Sequence, residues 1–136
     1  MKRKLLFGCL VVFLFATIAL DTIKKSPVEI VEAAIDKVRT GDVQRSQLKQ
    51  EDIDKIRSFY QFADEEKLGR PRVEVKEVTN SGDEAQVLAA FEIIDYDHHN
   101  QIRAIYAGNL VFTLRNVFFL AWEVQGVEVK RKMEAQ

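Results

Sequence analysis

Hydrophobic and polar positions alternate with two different periods along this chain, and the change falls near residue 72. Before it, apolar residues recur every three or four positions, which is typical of helices that bury one stripe. After it, apolar and polar residues alternate with a period of two, which is typical of strands with one buried face. The pattern predicts an α+β fold in which two helices precede an antiparallel sheet.

The first of these helices has clear start and stop signals. Ser26 precedes Pro27 and is followed three residues later by Glu29, which is the pattern of a capping box with proline in the first turn. Gly41 suits the left-handed residue that ends a helix. The second helix is predicted over residues 50–65, where acidic residues crowd the first turns. The stripes expected to face the core are Val28, Val31, Ile35 and Val38 in the first helix and Ile53, Ile56, Tyr60 and Ala63 in the second.

Four strands with polar turns between them are predicted after the second helix. They are expected around Val73 and Val75, over residues 85–94, from Ile102 to Leu114, and from Phe118 to Val129 with Phe118, Leu120, Trp122 and Val124 facing inward. Gln125-Gly126 interrupts the alternation of the fourth strand, which indicates a bulge after which Val127 and Val129 take the inward positions. Residues 130–132 are expected as a solvated basic end and residues 133–136 as a tail.

The N-terminal segment sets the expected compartment. A basic cluster, Met1–Lys4, precedes an unbroken apolar run from Leu5 to Leu20. This is the pattern of a secretory signal with a cleavage site at residues 17–19, and it also fits a retained membrane anchor, which we favour. The run would form a helix of about 24 Å against a hydrocarbon core of about 30 Å. Both interpretations assign residues 1–25 to a signal or anchor and place a domain at 26–132 outside the cytoplasmic membrane.

Composition excludes several classes of protein. A content of 47% hydrophobic residues is too high for a disordered chain, and 6 Gly with 2 Pro exclude a collagen-like repeat. The chain has 20 Lys and Arg against 21 Asp and Glu, and this near-neutral balance argues against a nucleic-acid-binding protein, whose surface is strongly basic. The single cysteine, Cys9, precludes an internal disulfide, and the domain must therefore be stabilised by an ordinary core.

Two short motifs, Ser26-Pro27-Val28-Glu29 and Gly41-Asp42, accompany the order of two helices and four long strands. Together they resemble the nuclear-transport-factor-like superfamily, which has a cystatin-like cone fold, and in particular its small exported or membrane-anchored bacterial members. The resemblance covers residues 26–132 and implies two helices packed on a curved four-stranded antiparallel sheet. Because this fold hosts both enzymes and binding modules, it leaves the function open.

The resemblance also implies a pocket inside the cone, and five inward aromatic residues are candidates for lining it. They are Tyr60, Phe91, Tyr106, Phe112 and Trp122. Enzymes of the superfamily place a tyrosine and an aspartate in such a pocket to move protons. Here Glu92 alternates opposite Phe91 and Asp95 ends its strand, so neither acid lies on the inward face. We interpret the aromatic set first as plain core and second as a pocket for a hydrophobic ligand.

The polar segment Asp95-Tyr96-Asp97-His98-His99 is the strongest candidate for metal chemistry. In extended chain Asp95, Asp97 and His99 share one face, and carboxylates with an imidazole can bind a divalent metal. The same residue types are typical of a polar hairpin loop, which is the interpretation we favour. No cofactor is predicted.

Taken together, the sequence favours a non-enzymatic binding or assembly module that is exported or held in the membrane through Leu5 to Leu20. Its expected partner is a protein of the cell envelope, a second copy of the chain, or a small apolar ligand. One alternative is a small isomerase or dehydratase built on the same cone. Another is a structural subunit of an envelope complex, similar to the anchored assembly subunit of type IV secretion systems, although that subunit's soluble domain is longer. No nucleic-acid partner is expected.

Overall fold

The computed structural model describes residues 25–136, and the predicted signal or anchor segment lies outside this range. The described elements are α1 (Pro27–Thr40), a short 3₁₀ turn (Val43–Arg45), α2 (Gln50–Glu65), β1 (Arg72–Asn80), β2 (Glu84–Tyr96), β3 (Ile102–Val117) and β4 (Ala121–Ala135). Among residues 25–136, no helix has the length and apolar character needed to cross a bilayer.

The four strands form one antiparallel sheet in the order β1-β2-β3-β4. Both helices pack on the same sheet, where α1 contacts β1, β2 and β4 while α2 contacts β4. This confirms the predicted α+β fold with two helices on a four-stranded antiparallel sheet. The β1–β2 and β3–β4 turns share one end of the sheet, called here the two-turn end. The β2–β3 loop lies at the opposite, loop end.

The caps of α1 agree with the sequence prediction. The backbone N–H of Glu29 donates to Ser26 Oγ at 3.2 Å, and the Glu29 carboxylate accepts the backbone N–H of Ser26 at 2.9 Å. Gly41 ends the helix with φ of 84°, a conformation that glycine adopts without steric cost. The buried side of α1 consists of Pro27, Val31, Ala34, Ile35 and Val38.

The buried stripe of α2 differs in part from the prediction. Ile53, Ile56 and Ala63 are buried as expected, but Phe59 and Asp52 are buried too, and Tyr60 is only half-buried. Positions 52, 56, 59 and 63 follow helical spacing, so the stripe is rotated toward Phe59. The sequence did not indicate that Asp52 is buried, because the helix dipole favours an acidic residue in the first turn whether its side chain is exposed or buried.

The prediction for the start and end of the last strand was wrong at both ends. Phe118 and Leu120 do not face inward, because residues 118–120 form the β3–β4 turn and β4 starts at Ala121. At the other end β4 continues to Ala135, and Met133 within the expected tail is buried against the core. The last strand therefore includes residues 130–135, which the sequence pattern left outside the sheet.

Three irregularities shape the pairing of β3 with β4: one at Gln125, one around Gly108 and one between Asn109 and Leu110. Thr113 pairs with Gly126, and the next β3 residue, Leu114, pairs with Val124. Gln125 is therefore left without a partner on β3, which confirms the predicted bulge. The second irregularity surrounds Gly108, where a Cβ atom would lie 2.8 Å from the backbone nitrogen of Met133. A side chain at position 108 would collide with the β4 backbone, so this close approach requires glycine.

The core fills the space between the helices and the inner face of the sheet. Its most completely buried large side chains are Val31, Ile56, Phe59, Val87, Phe91, Leu110, Phe112 and Leu114. The rings of Phe59 and Phe91 join α2 to β2 with a centroid separation of 4.7 Å. The two central strands thus present one face that the helices cover.

Candidate functional site

The structure does not bring the five candidate aromatic residues together around one pocket. Phe91 and Phe112 are fully buried in the core. Tyr60 meets Phe91 edge-on at a centroid distance of 5.8 Å, and Tyr106 packs against Phe62 at 5.5 Å. Trp122 is half-buried beside α1, in a different depression from Tyr60.

Tyr60 borders an open depression of about 390 Å³ between α1 and the start of β1. The depression is lined by Glu32, Ile35, Asp36, Arg39, Tyr60, Arg70, Pro71, Arg72, Val73 and Val75. Burial raises the pKa of Tyr60, and the positive charges of Arg39 and Arg70 act against this shift. Arg39 is itself paired with Asp36. The rim therefore carries mixed and partly compensated charge around a tyrosine that stays protonated at neutral pH.

Trp122 borders a second depression, of about 280 Å³, between α1 and the start of β4. Lys25, the first described residue, lines the same depression together with Lys37 and Arg45. The chain consequently enters the folded domain beside the first residues of β4, at the two-turn end of the sheet.

Two of the three candidate metal ligands, Asp95 and Asp97, have other partners. Arg103 donates from Nε and Nη2 to Asp95 Oδ2 at 2.8 and 2.7 Å, and this hydrogen bond raises the pKa of Arg103. Asp97 Oδ1 accepts the backbone N–H groups of His99 and Gln101 at 2.8 and 2.9 Å. Asp97 thereby closes the loop as an Asx turn. Within residues 25–136 the structure forms no group of three His, Cys, Asp or Glu side chains that could hold a metal ion.

Asp52 is a buried carboxylate that the sequence analysis did not single out. Only 2% of the residue is exposed. Its Oδ1 accepts the backbone N–H of Val127 at 3.2 Å and lies 3.4 Å from Lys55 Nζ. Lys55 Nζ also donates to the carbonyl oxygen of Val127 at 2.8 Å. Asp52 and Lys55 thus fasten α2 to β4 immediately after the bulge, and Asp52 lines none of the depressions described above.

The outer face of the sheet carries an apolar stripe on its two central strands. Leu88 pairs with Val111, and Ile94 pairs with Ile105. The stripe consists of Leu88, Ala90, Ile94, Ile105, Ala107 and Val111, and we call it the outer stripe. These side chains are partly exposed, up to 37% at Ile94, and no element within residues 25–136 packs over them.

Charged side chains on β1 and β4 flank the outer stripe in a regular order. The strand registers place Arg72, Glu92, Ala107 and Glu134 in one row, Glu74, Ala90, Asn109 and Arg131 in the next, and Lys76, Leu88, Val111 and Glu128 in the third. Every row therefore begins and ends with opposite charges. Arg131 also pairs with Glu134 at 3.0 Å and Lys130 with Glu128 at 2.8 Å, in exposed pairs of small energetic weight.

Asn109 lies in the middle row of this face. Its side-chain oxygen is enclosed and has no hydrogen-bond donor within the described part of the chain. An enclosed acceptor without a donor costs about 1–3 kcal/mol. One acceptor of the outer face therefore remains without a donor among the described residues.

The β3–β4 turn exposes the largest apolar side chains among residues 25–136. Phe118 is 85% exposed, Phe119 79% and Leu120 50%. The backbone N–H of Leu120 donates to the carbonyl oxygen of Val117 at 3.1 Å and closes the turn. Both phenylalanines have positive φ, 52° and 58°. A sequence signal was present in the run Val117-Phe118-Phe119-Leu120, but it matched a buried strand equally well.

Comparison with known proteins identifies no relative of this chain: no family model, curated protein or solved structure matches it. The resemblance to the nuclear-transport-factor-like superfamily therefore stays a prediction. The surfaces that distinguish the described domain are its outer stripe with flanking charges and its exposed aromatic turn.

Proposed function

We propose that this protein is an exported, membrane-anchored assembly module without catalytic activity, which docks through the outer face of its sheet. Residues 5–20 form the anchor in this proposal, and the fold is that of the nuclear-transport-factor-like superfamily. The observation that carries the proposal is the outer stripe, an apolar surface on two central strands that the helices leave uncovered.

A contiguous stripe of this kind has a different meaning from single exposed apolar residues. Scattered apolar side chains are normal on any protein surface, whereas a contiguous apolar patch with a polar rim is typical of a protein–protein interface. Here the apolar positions lie on β2 and β3, where Glu92 and Asn109 are the polar residues among them, and the other charged positions lie on the strands to either side.

The edges of the sheet argue against a partner that adds a strand. β1 and β4 are the two edge strands. Their exposed charged residues include Glu74, Lys76 and Glu77 on β1 and Glu128, Lys130, Arg131 and Lys132 on β4. Charged edges of this kind discourage the pairing of a further strand. A partner is therefore expected to meet the face of the sheet and not its edge.

The partner that the charge order fits is a second copy of this chain. A two-fold axis parallel to the strands lays β1 of one protomer over β4 of its partner. Each row then meets itself reversed, so that Glu74 of one copy faces Arg131 of the other, and the rows above and below match in the same way. A two-fold axis across the strands would instead place Glu74 over Glu74 and Arg131 over Arg131, which is repulsive.

This arrangement also suits a chain held in a membrane. An axis along the strands places the two-turn ends of both protomers side by side. Because the chain enters the domain at that end, beside Trp122, both predicted anchors would enter the same bilayer. The apolar stripes would meet in aligned face-to-face packing, which sheets commonly adopt.

Charge reversal across the proposed interface tests this function. Glu74 and Arg131 lie on opposite edge strands, about 14 Å apart at three strand spacings, so they do not contact each other within one copy. We expect the full-length protein in detergent micelles to sediment as a dimer. Glu74→Arg or Arg131→Glu alone should weaken the dimer on the order of tenfold, about 1.4 kcal/mol, and the double reversal should restore it.

The matched control is Glu65→Arg, an exposed charge reversal on α2, which packs on the opposite face of the sheet from the outer stripe. It should leave sedimentation unchanged. A full-length protein that stays monomeric at all concentrations, or a double reversal that is no tighter than the single ones, would contradict the self-association. The anchor is tested separately: the protein should stay with membranes in a high-salt wash, and a mature N-terminus at Leu20 would show cleavage instead.

A further inference from the structure

The conformation of the β3–β4 turn has no explanation within the folded domain. Two successive residues with positive φ are usually asparagine and glycine, because a side chain with a Cβ is strained there. Phe118 and Phe119 adopt this conformation at a cost of about 1–2 kcal/mol each. Their rings are 85% and 79% exposed, so they return almost no burial energy to the domain.

The β3–β4 turn lies close to the point where the chain enters the domain at Lys25. Trp122 follows Leu120 by two residues, and it lines the same depression as Lys25. The turn and the first described residue therefore lie at the same end of the sheet. The β2–β3 loop lies at the opposite end, where the exposed polar residues His98, His99 and Asn100 stand between Tyr96 and Ile102, which are 52% and 58% exposed.

The length of chain before Lys25 limits how far this end can lie from a bilayer. Residues 21–25 separate the predicted apolar run from the domain, and five extended residues reach at most about 18 Å. An anchor at residues 5–20 therefore holds the two-turn end close to the membrane surface. Such a short tether gives the turn a high effective concentration at the bilayer.

We propose that Phe118, Phe119 and Leu120 insert into the boundary between headgroups and acyl chains of the bilayer that holds the anchor. This inference rests on the proposed anchoring, and it adds a second, folded contact with the same membrane. Apolar and aromatic side chains favour this boundary, where their burial is driven by the hydrophobic effect. Acidic side chains near the turn, Asp83 and Glu123, stand at the same end as the basic Lys25, Lys37 and Arg45, so the charge there is mixed and the proposed contact is apolar.

The inserted turn would fix the tilt of the domain. One tether alone lets a domain swing about its linker, whereas a tether and a turn at the same end hold the strands upright on the membrane. In the proposed dimer both turns reach the same bilayer, because the two-fold axis runs along the strands.

Brominated-lipid quenching in the full-length chain tests the contact. The protein has one tryptophan, Trp122, which serves as a first reporter without any substitution. A second pair of proteins carries Trp122→Phe with a new tryptophan at the turn, Phe119→Trp, or at the loop end, His98→Trp. Each is reconstituted into phosphatidylcholine vesicles whose acyl chains are brominated, and flotation of the vesicles reports anchoring independently.

We expect the tryptophan at position 119 to lose about half or more of its fluorescence to the brominated chains, and the one at position 98 to lose almost none. Trp122 should be quenched to an intermediate extent, and Phe118→Ser with Phe119→Ser should reduce that quenching. High salt should change none of these values, because the contact is apolar.

Two results would overturn the inference, and they are distinguishable. If the chain floats with the vesicles but brominated lipid quenches the tryptophans at positions 119 and 98 equally, the anchor is present and the turn lies in water. If a photo-cross-linker at position 119 then captures a protein in native membranes, that protein and not lipid covers the turn. A chain that does not float overturns the proposed anchoring and the bilayer contact together.

Discussion

The two faces of the sheet are built by the same four strands and differ in what covers them. On the inner face, Val87 and Phe112 are wholly excluded from solvent beneath the helices. Their chain neighbours on the outer face, Leu88 and Val111, are also apolar but partly exposed. The inner face explains why the chain folds. The outer face is more apolar than folding requires, so its composition carries information about binding.

The largest expected difference between the faces concerns Phe112 and Val111, adjacent residues of β3. Phe112→Ala should lower the free energy of unfolding by about 3–5 kcal/mol, because it empties a fully buried site. Val111→Ala, measured in dilute protein where copies are separated, should cost less than about 1.5 kcal/mol. Urea unfolding followed by Trp122 fluorescence gives both values. Equal losses would show that the outer face is as tightly packed as the inner one.

Asp52 tests the inner face further, because its carboxylate makes a buried hydrogen bond that joins α2 to β4. Asp52→Ala should cost about 1–3 kcal/mol because the buried N–H of Val127 loses its acceptor. Asp54→Ala is the matched control: this residue is exposed and its removal should change stability by no more than about 0.5 kcal/mol. A stability loss of the same size in both variants would contradict the assigned role of Asp52.

Tyr60 adds a pH dependence at the border of the inner face. Burial raises its pKa above the ordinary value of 10.0. Above that value the unfolded tyrosine ionises while Tyr60 in the fold stays protonated, so this stability is present below pH 10 and is lost as the pH rises through the folded pKa. Tyr60→Phe should make unfolding less sensitive to alkali between about pH 9 and pH 11. An alkaline unfolding profile that Tyr60→Phe leaves unchanged would contradict this role for Tyr60.

The smallest effect is expected at the loop end, which lies outside both faces. Zinc and chelators should leave the melting temperature unchanged, because Asp95 is paired with Arg103 and Asp97 closes the loop. A bound metal at a hundredfold excess over its dissociation constant would add about 2.7 kcal/mol. A chelator-sensitive melting temperature that His99→Asn abolishes, and His98→Asn does not, would restore the metal site.

The local signals in the sequence predicted the elements that they control. The capping box at Ser26 and the glycine at position 41 fixed both ends of α1, and the broken alternation at Gln125 located a bulge. Such features depend on residues only a few positions apart. They could be read without knowing what packs against them.

The turn after β3 could not be predicted in this way. Its residues, Phe118 and Phe119, are among the least suited to positive φ, and an apolar run next to a strand resembles more strand. Only the pairing of Val117 with Ala121 shows that the chain reverses there.

The charge rows of the outer face depend on register, which the sequence pattern did not supply. One residue of slip moves a strand's side chains to the other face of the sheet. Glu74 and Arg131 share a row only because the irregularities at Gln125 and between Asn109 and Leu110 shift β4 relative to β3. Local sequence patterns therefore could not predict that Glu74 and Arg131 lie in the same row of the sheet.

β4 is the last of the four strands in sequence, and this order has a consequence for folding. Sheet pairing follows the chain from β1 to β4, so each strand can join as soon as it is synthesised. The helices are synthesised before the strands, but α2 makes its contacts with β4. Lys55 Nζ, for example, donates to the carbonyl oxygen of Val127, which lies 72 residues later in the chain. Val127 and Met133 close the core from this last strand. An emerging chain therefore remains open to proteases until its final strand arrives, and a truncation before β4 would yield no protected intermediate with a complete core.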